Sequence, residues 1–320
     1  MRKVFDSMWS LMTAVVMLMV LAGCHTDEVS NGPSIQDQFS SLIEHFHVTD
    51  IYGGYISSYN NRTSHNFTVL YADYDGKPMS LAADRDNQLT TEEWDDVPLA
   101  SKRPVSDFDV SVLEARRQKL AEGRTECDSV TLHFGVSVSG SVLEQAFCSP
   151  INSGEENYIV GSSVLDGESL VEGPDVRNPD HVAQLARVYD KMLPGGVMVD
   201  WTLSFGRPEN QDAYGPKITS DTGKPCTPTM QSSATKITTY NVGCSGLPAY
   251  NEQPFHLSNF DPNLVNIVAD RLAEAGIDIN QAMTLDFYSQ DGTNLTYKLT
   301  TFQANGVLNP ATTGTIAPTK

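Results

Sequence analysis

The chain has 320 residues, with 40 acidic side chains against 21 lysines and arginines, and a formal net charge of −19. That excess argues against binding nucleic acid or anionic lipid headgroups through charge, and favours a cationic partner or simply a solvated acidic surface. The length suits one large domain or two of ordinary size.

Residues 1–23 begin with Arg2 and Lys3 and continue into an apolar run from Leu11 to Leu21. The run is long enough for the hydrophobic core of an export signal. It is too short for a membrane span, which takes about 20 apolar residues. It closes on Leu21-Ala22-Gly23-Cys24. This pattern resembles the lipobox of bacterial lipoproteins. The resemblance implies a signal peptide over 1–23, cleavage before Cys24, and lipidation of the Cys24 thiol by a diacylglycerol. Membrane lipid would then be a partner through acylated Cys24, with the body on the outer face of the cell membrane. Two acyl chains supply the double anchoring that a single chain does not. Residues 24–34 are polar, contain Gly32-Pro33, and read as the tether.

Ile35, Phe39, Leu42, Ile43 and Phe46 recur at helical spacing and predict a helix over 35–46. Strands are expected over 51–59, 67–74 and 79–83, with Asp75-Gly76 as a hairpin turn, because both of its central positions need positive φ. Residues 84–96 read as an acidic loop. Asp109 is placed to cap a helix that ends near Gly123, and Phe108 to staple onto Leu113. Val130–Val138 and Val142–Phe147 predict a hairpin turning near Ser137–Gly140. Residues 149–178, rich in Gly, Ser, Glu and Asp, read as a connection that holds a short strand near Tyr158. Asp180 is the expected cap of a helix through Leu193, stopped by Pro194-Gly195-Gly196. Val197–Phe205 follows as an alternating strand. The proline-bearing segment 206–256 reads as mostly loop, with one strand within 234–242. Asp261, with Pro262 at the first helical position, opens a helix ending at Gly276. Strands over 283–289 and 295–302 are joined at Asp291-Gly292.

The second half repeats the order of the first. Phe108-Asp109 matches Phe260-Asp261, Leu120-Ala121-Glu122 matches Leu272-Ala273-Glu274, and Thr131-Leu132-His133-Phe134 matches Thr284-Leu285-Asp286-Phe287. The expected fold is α+β: two tandem related α-β-β-α-β-β lobes, over 35–148 and 179–305, with helices on one face of antiparallel sheets. Residues 306–320 are expected to be a disordered tail. The tandem is similar to small lipoproteins of high-GC Gram-positive bacteria, a resemblance that brings no activity with it.

Beyond Cys24 there are four cysteines, Cys127, Cys148, Cys226 and Cys244. An even number in an exported chain predicts two disulfides, with three possible pairings. Sequential neighbours are preferred. Cys127 and Cys148 sit at the open ends of the first hairpin, where opposed Cβ atoms approach bonding distance. A Cys226–Cys244 bridge would clamp a long insertion. No Cys-x-x-Cys spacing suggests a metal.

The remaining motifs are weak. Asp84-Arg85-Asp86-Asn87-Gln88 resembles a calcium loop, but Leu89 and Asp95 stand where Gly and Glu are required. His45 and His47 point to different helix faces. His133 is expected to face solvent. Gly135–Gly140 lies in a hairpin, not at the strand-to-helix turn of a nucleophile elbow. No phosphate-binding glycine loop occurs. No catalytic, cofactor or metal residues are therefore assigned. Trp201, expected in the core, and Tyr214, Tyr240 and Tyr250 are candidates for lining a groove. The expectation is a lipid-anchored envelope protein, not an enzyme, that binds a ligand or protein at the cleft between lobes or along 206–256. The alternatives are an envelope hydrolase using carboxylates and a structural or immune-facing surface protein.

Overall fold

The computed structural model describes residues 32–59, 65–93, 101–151, 156–170, 173–205, 211–216, 218–219, 225–232, 239–243, 253–278, 282–301 and 312–316. Helix α1 (Ile35–Phe46) is held at its start by Ser34 and Asp37, each side chain bonded to the other's backbone N–H. Strands β1 (Asp50–Ile51), β2 (Gly53–Tyr59), β3 (Asn66–Tyr74), β4 (Lys77–Ala83), β5 (Leu89–Glu93) and β6 (Arg103–Pro104) follow. Then come α2 (Val110–Ala121), β7 (Cys127–Val136), β8 (Val142–Pro150), β9 (Asn157–Tyr158), β10 (Val164–Leu165) and β11 (Glu168–Ser169). The first sheet runs β11-β10-β8-β7-β2-β3-β4-β5, with β9 also on β8. Every pair is antiparallel. The short ladder of β1 with β6 stands apart.

The second lobe repeats this plan. It comprises α3 (Pro179–Met192), β12 (Val197–Met198), β13 (Asp200–Ser204), β14 (Gln211–Tyr214), β15 (Ile218–Thr219), β16 (Pro225–Ser232), β17 (Thr239–Gly243) and β18 (Phe255–His256). It ends with α4 (Leu264–Glu274), β19 (Ala282–Ser289), β20 (Leu295–Thr301) and β21 (Thr312–Ile316). Its sheet runs β15-β16-β14-β13-β19-β20-β21, with β17 also on β16, and β12 pairs with β18. Strand for strand, β2, β3, β4, β7, β8 and β10 take the places of β13, β14, β16, β19, β20 and β21. The protein is α+β, built from two lobes of one topology, each with more strands than α-β-β-α-β-β.

Each lobe has its own core. In the first, Ile56, Leu70, Leu81, Val130, Leu132 and Phe134 face Phe39, Leu42 and Phe46 of α1 and Val110 and Leu113 of α2. In the second, Trp201, Leu203, Leu285, Phe287 and Leu299 face Tyr189 and Met192 of α3 and Val265, Val268 and Leu272 of α4. Pairing by register makes Gly54 the counterpart of Trp201, since they lie opposite Phe134 and Phe287 respectively. A Cβ on Gly54 would collide with the Val69 carbonyl oxygen and crowd the Phe134 ring. Gly54 is therefore required by close approach.

Several expected boundaries move. Residues 149–178 are not a free connection: β9 and β10 join the first sheet, while Leu165 of β10 and Val176 pack in the second core. Leu143 and Leu170 pack there too, so apolar side chains fill the junction expected to hold a cleft. Ser141 Oγ adds a hydrogen bond to the Lys191 carbonyl at 3.2 Å. The expected loop at 84–96 contains β5, because Asp84 closes a tight turn by accepting from Asp86 N and Gln88 N at 2.9 and 2.8 Å. Segment 206–256 holds β14 to β18. The expected disordered tail contributes β21, with Thr312–Ile316 paired to β20. Asn178, not Asp180, caps α3, because Pro179 takes the first helical position. Asp261 instead closes a turn on Asn263 N at 2.9 Å, and α4 starts at Leu264. Asp109 caps α2 as expected, accepting from Ser111 N and Val112 N. At the β3–β4 turn Asp75 and Gly76 have φ of 53° and 75°, the two positive values expected there.

One polar side chain fastens α1 to the sheet. Gln38 is fully buried. Its Nε2 donates to the Asn66 and Asp84 carbonyls at 3.0 and 2.7 Å, and its Oε1 accepts from Thr68 Oγ1 at 2.9 Å. Replacing it by leucine keeps the bulk but takes a donor from the Asn66 and Asp84 carbonyls, the second of which keeps its bond from Asn87 N, and the acceptor from the Thr68 hydroxyl. Gln38→Leu should cost roughly 2 kcal/mol in denaturant unfolding. An unchanged midpoint would show that water replaces the amide.

Candidate functional site

The predicted lipidation residue Cys24 and the cysteine Cys244 lie outside the described residues. Cys127 and Cys148 are bonded, with a Cα separation of 5.3 Å. They are not directly opposed: Cys148 faces Val130 and Cys127 faces Pro150, and a bulge between Cys127 and Ser129 brings the sulfurs together. Cys226 is also disulfide-bonded. Alkylation without reductant should therefore label none of Cys127, Cys148 and Cys226. Label on any of them contradicts the bonded state.

The aromatic candidates of the second half do not assemble a groove among the described residues. Trp201 is buried in the core, between Tyr189 and Phe260 at ring distances of 5.7 and 4.6 Å. Tyr214 is half-buried on β14, β17 carries Tyr240, and Tyr250 lies outside the described residues.

The site lies instead on the face of the first sheet turned away from the helices. Period-two alternation sends Ile56 and Leu132 into the core and Tyr55, Ser57, Tyr59, Thr131 and His133 to the opposite face. Register sets the neighbours. Ser57 pairs with Phe67 on β3 and with Thr131 on β7; Tyr55 pairs with His133; Thr131 pairs with Phe147 on β8. Two small hydroxyl residues on adjacent strands are thus ringed by large ones. The result is a hollow of about 270 Å³ lined by Tyr55, Ser57, Tyr59, Phe67, Thr131, His133 and Glu156.

The floor is a hydroxyl pair: Thr131 Oγ1 donates to Ser57 Oγ at 3.0 Å, and both residues are buried. The walls are fixed by ring contacts. Tyr55 stacks on Phe67 at 6.0 Å and on His133 at 5.1 Å, and Tyr59 stacks on His65 at 4.5 Å. Phe147 meets His133 edge-on at 4.9 Å and is met by Tyr158 at 5.8 Å. Such contacts hold rings in place beyond simple burial. His133, expected in solvent, is therefore a wall of the hollow. Its Nε2 lies 3.9 Å from the Glu156 carboxylate at the rim.

Burial, with smaller contributions from Tyr71, Glu156 and Tyr59, pushes the Tyr55 phenol up to about 12, and burial raises Tyr71 as well. Both remain neutral hydroxyls at physiological pH. A folded-state pKa above the unfolded 10.0 gives a contribution intact below about pH 10 and lost as pH rises through about 12. Tyr55→Phe should therefore flatten the alkaline limb of the stability curve, read by thermal melts across that window. An identical limb in the variant would assign the loss to other groups.

The second lobe keeps the residue types of the floor and changes the walls. Ser204 pairs with Thr284, as Ser57 pairs with Thr131. The places of Tyr55 and His133 are taken by Thr202 and Asp286, and Thr202 Oγ1 donates to Asp286 Oδ1 at 2.9 Å. Burial raises the Asp286 carboxyl, against the opposing pull of Thr202 and Lys298.

Another cavity of about 390 Å³ lies by the start of α2, lined by Arg103, Asp107, Asp109, Glu144 and Asp166 among others. Three of its four carboxylates are already engaged. Asp109 caps α2, Glu144 pairs with Arg116, and Asp166 accepts from Val142 N. Among the described residues no group of three or more His, Cys, Asp or Glu is placed to hold a metal ion. No helix among them is long and apolar enough to cross a membrane.

No family model matches the chain. No curated protein matches it. Among solved structures it aligns with the PCNA2–PCNA3 complex of Sulfolobus tokodaii at 14% identity, over 88% of this chain and 94% of that one, with a TM-score of 0.16. A likeness at that level bears on neither fold nor function.

Proposed function

We propose that this is a lipid-anchored, extracytoplasmic binding module, held at the outer face of the cell membrane through acylated Cys24 and binding a small ligand on the open face of its first sheet. The observation that carries the binding reading is the hydroxyl-floored, aromatic-walled hollow. Concave sites with a few convergent polar groups are where small ligands bind. Ser57 and Thr131 bond to one another, and His133 is set between Tyr55, Phe147 and Glu156. That arrangement suits recognition better than nucleophilic attack. The anchoring part rests on the basic start, the apolar run and Leu21-Ala22-Gly23-Cys24, with disulfides that suit an oxidising compartment. The acidic charge of the chain makes nucleic acid a poor partner.

A carboxylate-based envelope hydrolase is the second reading. Asp286 and Asp212 favour it: they flank Thr202 from either side on neighbouring strands, and the Asp286 carboxyl is raised. If it held, Asp286→Asn would abolish a hydrolytic activity while leaving ligand binding at the first lobe intact.

Cys24→Ser should abolish incorporation of labelled fatty acid and release the chain from membranes. Retained label would overturn the lipid anchor without touching the hollow. Ser57→Leu fills the floor and should abolish ligand-induced thermal stabilisation of the full chain in detergent. A ligand that stabilises wild type and Ser57→Leu equally binds elsewhere.

A further inference from the structure

We infer that the hollow takes one pyranose ring of a neutral saccharide, whether from a free polysaccharide or from a glycolipid headgroup. The inference rests on the binding reading above and specifies its ligand. Size comes first. About 270 Å³ lies at the small end of ligand pockets, which run from roughly 300 Å³ upward. One ring fits and an extended chain does not.

The floor selects the chemistry. A hydroxyl carries one donor and two acceptor sites. The Thr131 proton is spent on Ser57 at 3.0 Å. The Ser57 proton and the remaining lone pairs of both oxygens point to a partner that both donates and accepts, as a sugar hydroxyl does. An alkyl chain seated there would bury these oxygens without partners, at a cost. The walls add the second half of the match. Tyr59, Phe67 and His133 offer ring surface to the apolar C–H groups of a pyranose, and Tyr55, stacked between Phe67 and His133, holds those walls in place. Glu156 at the rim accepts from a pair of neighbouring ligand hydroxyls, a charge-assisted arrangement.

Competing ligands fit less well. An anion would meet Glu156 and the field of a chain with net charge −19. A quaternary ammonium ion would suit Glu156 and the ring surface, but its methyl groups would leave the Ser57 and Thr131 oxygens buried without partners. The second lobe serves as an internal control, because Ser204 and Thr284 repeat the residue pair of the floor beside Thr202 and Asp286.

The test is calorimetric titration of the full chain in detergent with neutral disaccharides of glucose, galactose, mannose and N-acetylglucosamine, with choline as the rival. Vesicles bearing a glycosylated lipid form a parallel arm. At least one saccharide should bind. Thr131→Val, which keeps the shape and removes the hydroxyl, should weaken binding roughly tenfold. Thr131→Ser should restore it, and Thr284→Val should leave it unchanged. Tyr59→Ala should weaken the same saccharide. Binding to free sugar assigns a polysaccharide source, and binding confined to the vesicles assigns a headgroup. Choline binding that is lost in Tyr59→Ala, with no saccharide bound, overturns the sugar assignment and keeps the binding module. Saccharide binding indifferent to Thr131→Val and Tyr59→Ala overturns the site. No binding of saccharide or choline in either arm overturns the saccharide inference, and the binding reading then stands or falls on a ligand blocked by Ser57→Leu.

Discussion

Among the described residues each lobe has two α-helices and a sheet with two faces, so one face is left over. The helices can bury only the side chains that alternate toward them. Everything else in the molecule adjusts to that shortage. On the covered face the solutions are alike: Leu132 and Phe134 in one lobe, Leu285 and Phe287 in the other, set under helices each preceded by a short 3-10 turn, Val105–Asp107 and Leu257–Asn259. On the open face the two lobes part company. The first puts rings there and locks them by stacking, so that much of their apolar area is spent on one another. The second puts Thr202, Asp212, Asp286 and Lys298 there, with Tyr214 and Tyr288 on either side of Asp200. A contiguous, half-buried aromatic surface on an exposed face is the less neutral of the two solutions, and calls for a reason that solubility alone does not supply.

The core shows the same divergence on one topology. At Gly54 the chain gives up a side chain so that β3 and the Phe134 ring can close in. At Trp201 it does the reverse and fills the space with the largest side chain available. The indole N–H of Trp201 has no acceptor among the described residues. The second core thus accepts the cost of an unpaired donor for its apolar bulk. The lobes are also joined more tightly than a linker would allow. Leu165 belongs by backbone to the first sheet and by side chain to the second core. Separating the lobes would mean tearing a strand or opening a core.

Where a local rule determines a local shape, the sequence was readable. The periodicity of Ile35 to Phe46 located α1, Asp75-Gly76 its hairpin, and Asp109 the start of α2. The misses are competitions between equally local signals. Asn178 and Asp180 are both good caps, and Pro179 decides between them. Asp261 is spent on a turn instead of a helix. The short strands β5, β15 and β21 form because a neighbour offers an edge to pair with, and Thr312–Ile316 carries almost no pattern of its own. The hollow was the deepest miss. Tyr55, Ser57 and Tyr59 were legible as alternate residues of one strand. That Ser57 would meet Thr131 while Tyr55 met His133 depends on the register of β2 against β7, strands separated by four others and a helix. A sheet hollow is a property of rows across strands, and rows are invisible in a one-dimensional pattern.

The position of the hollow in the chain also fits the anchoring read from the N-terminus. If Cys24 carries the lipid, α1 begins after a tether that spans at most roughly 35 Å when fully extended. The first lobe is then the one joined directly to the tether, and the second is coupled to it through Leu165. Of the two open faces, the aromatic one lies in the lobe whose range from the membrane is limited. A ligand that is itself part of the envelope would meet that lobe at a high effective concentration, since tethering turns an encounter in bulk into one within the reach of the linker. Weak affinity, which a pocket sized for a single ring implies, would then suffice.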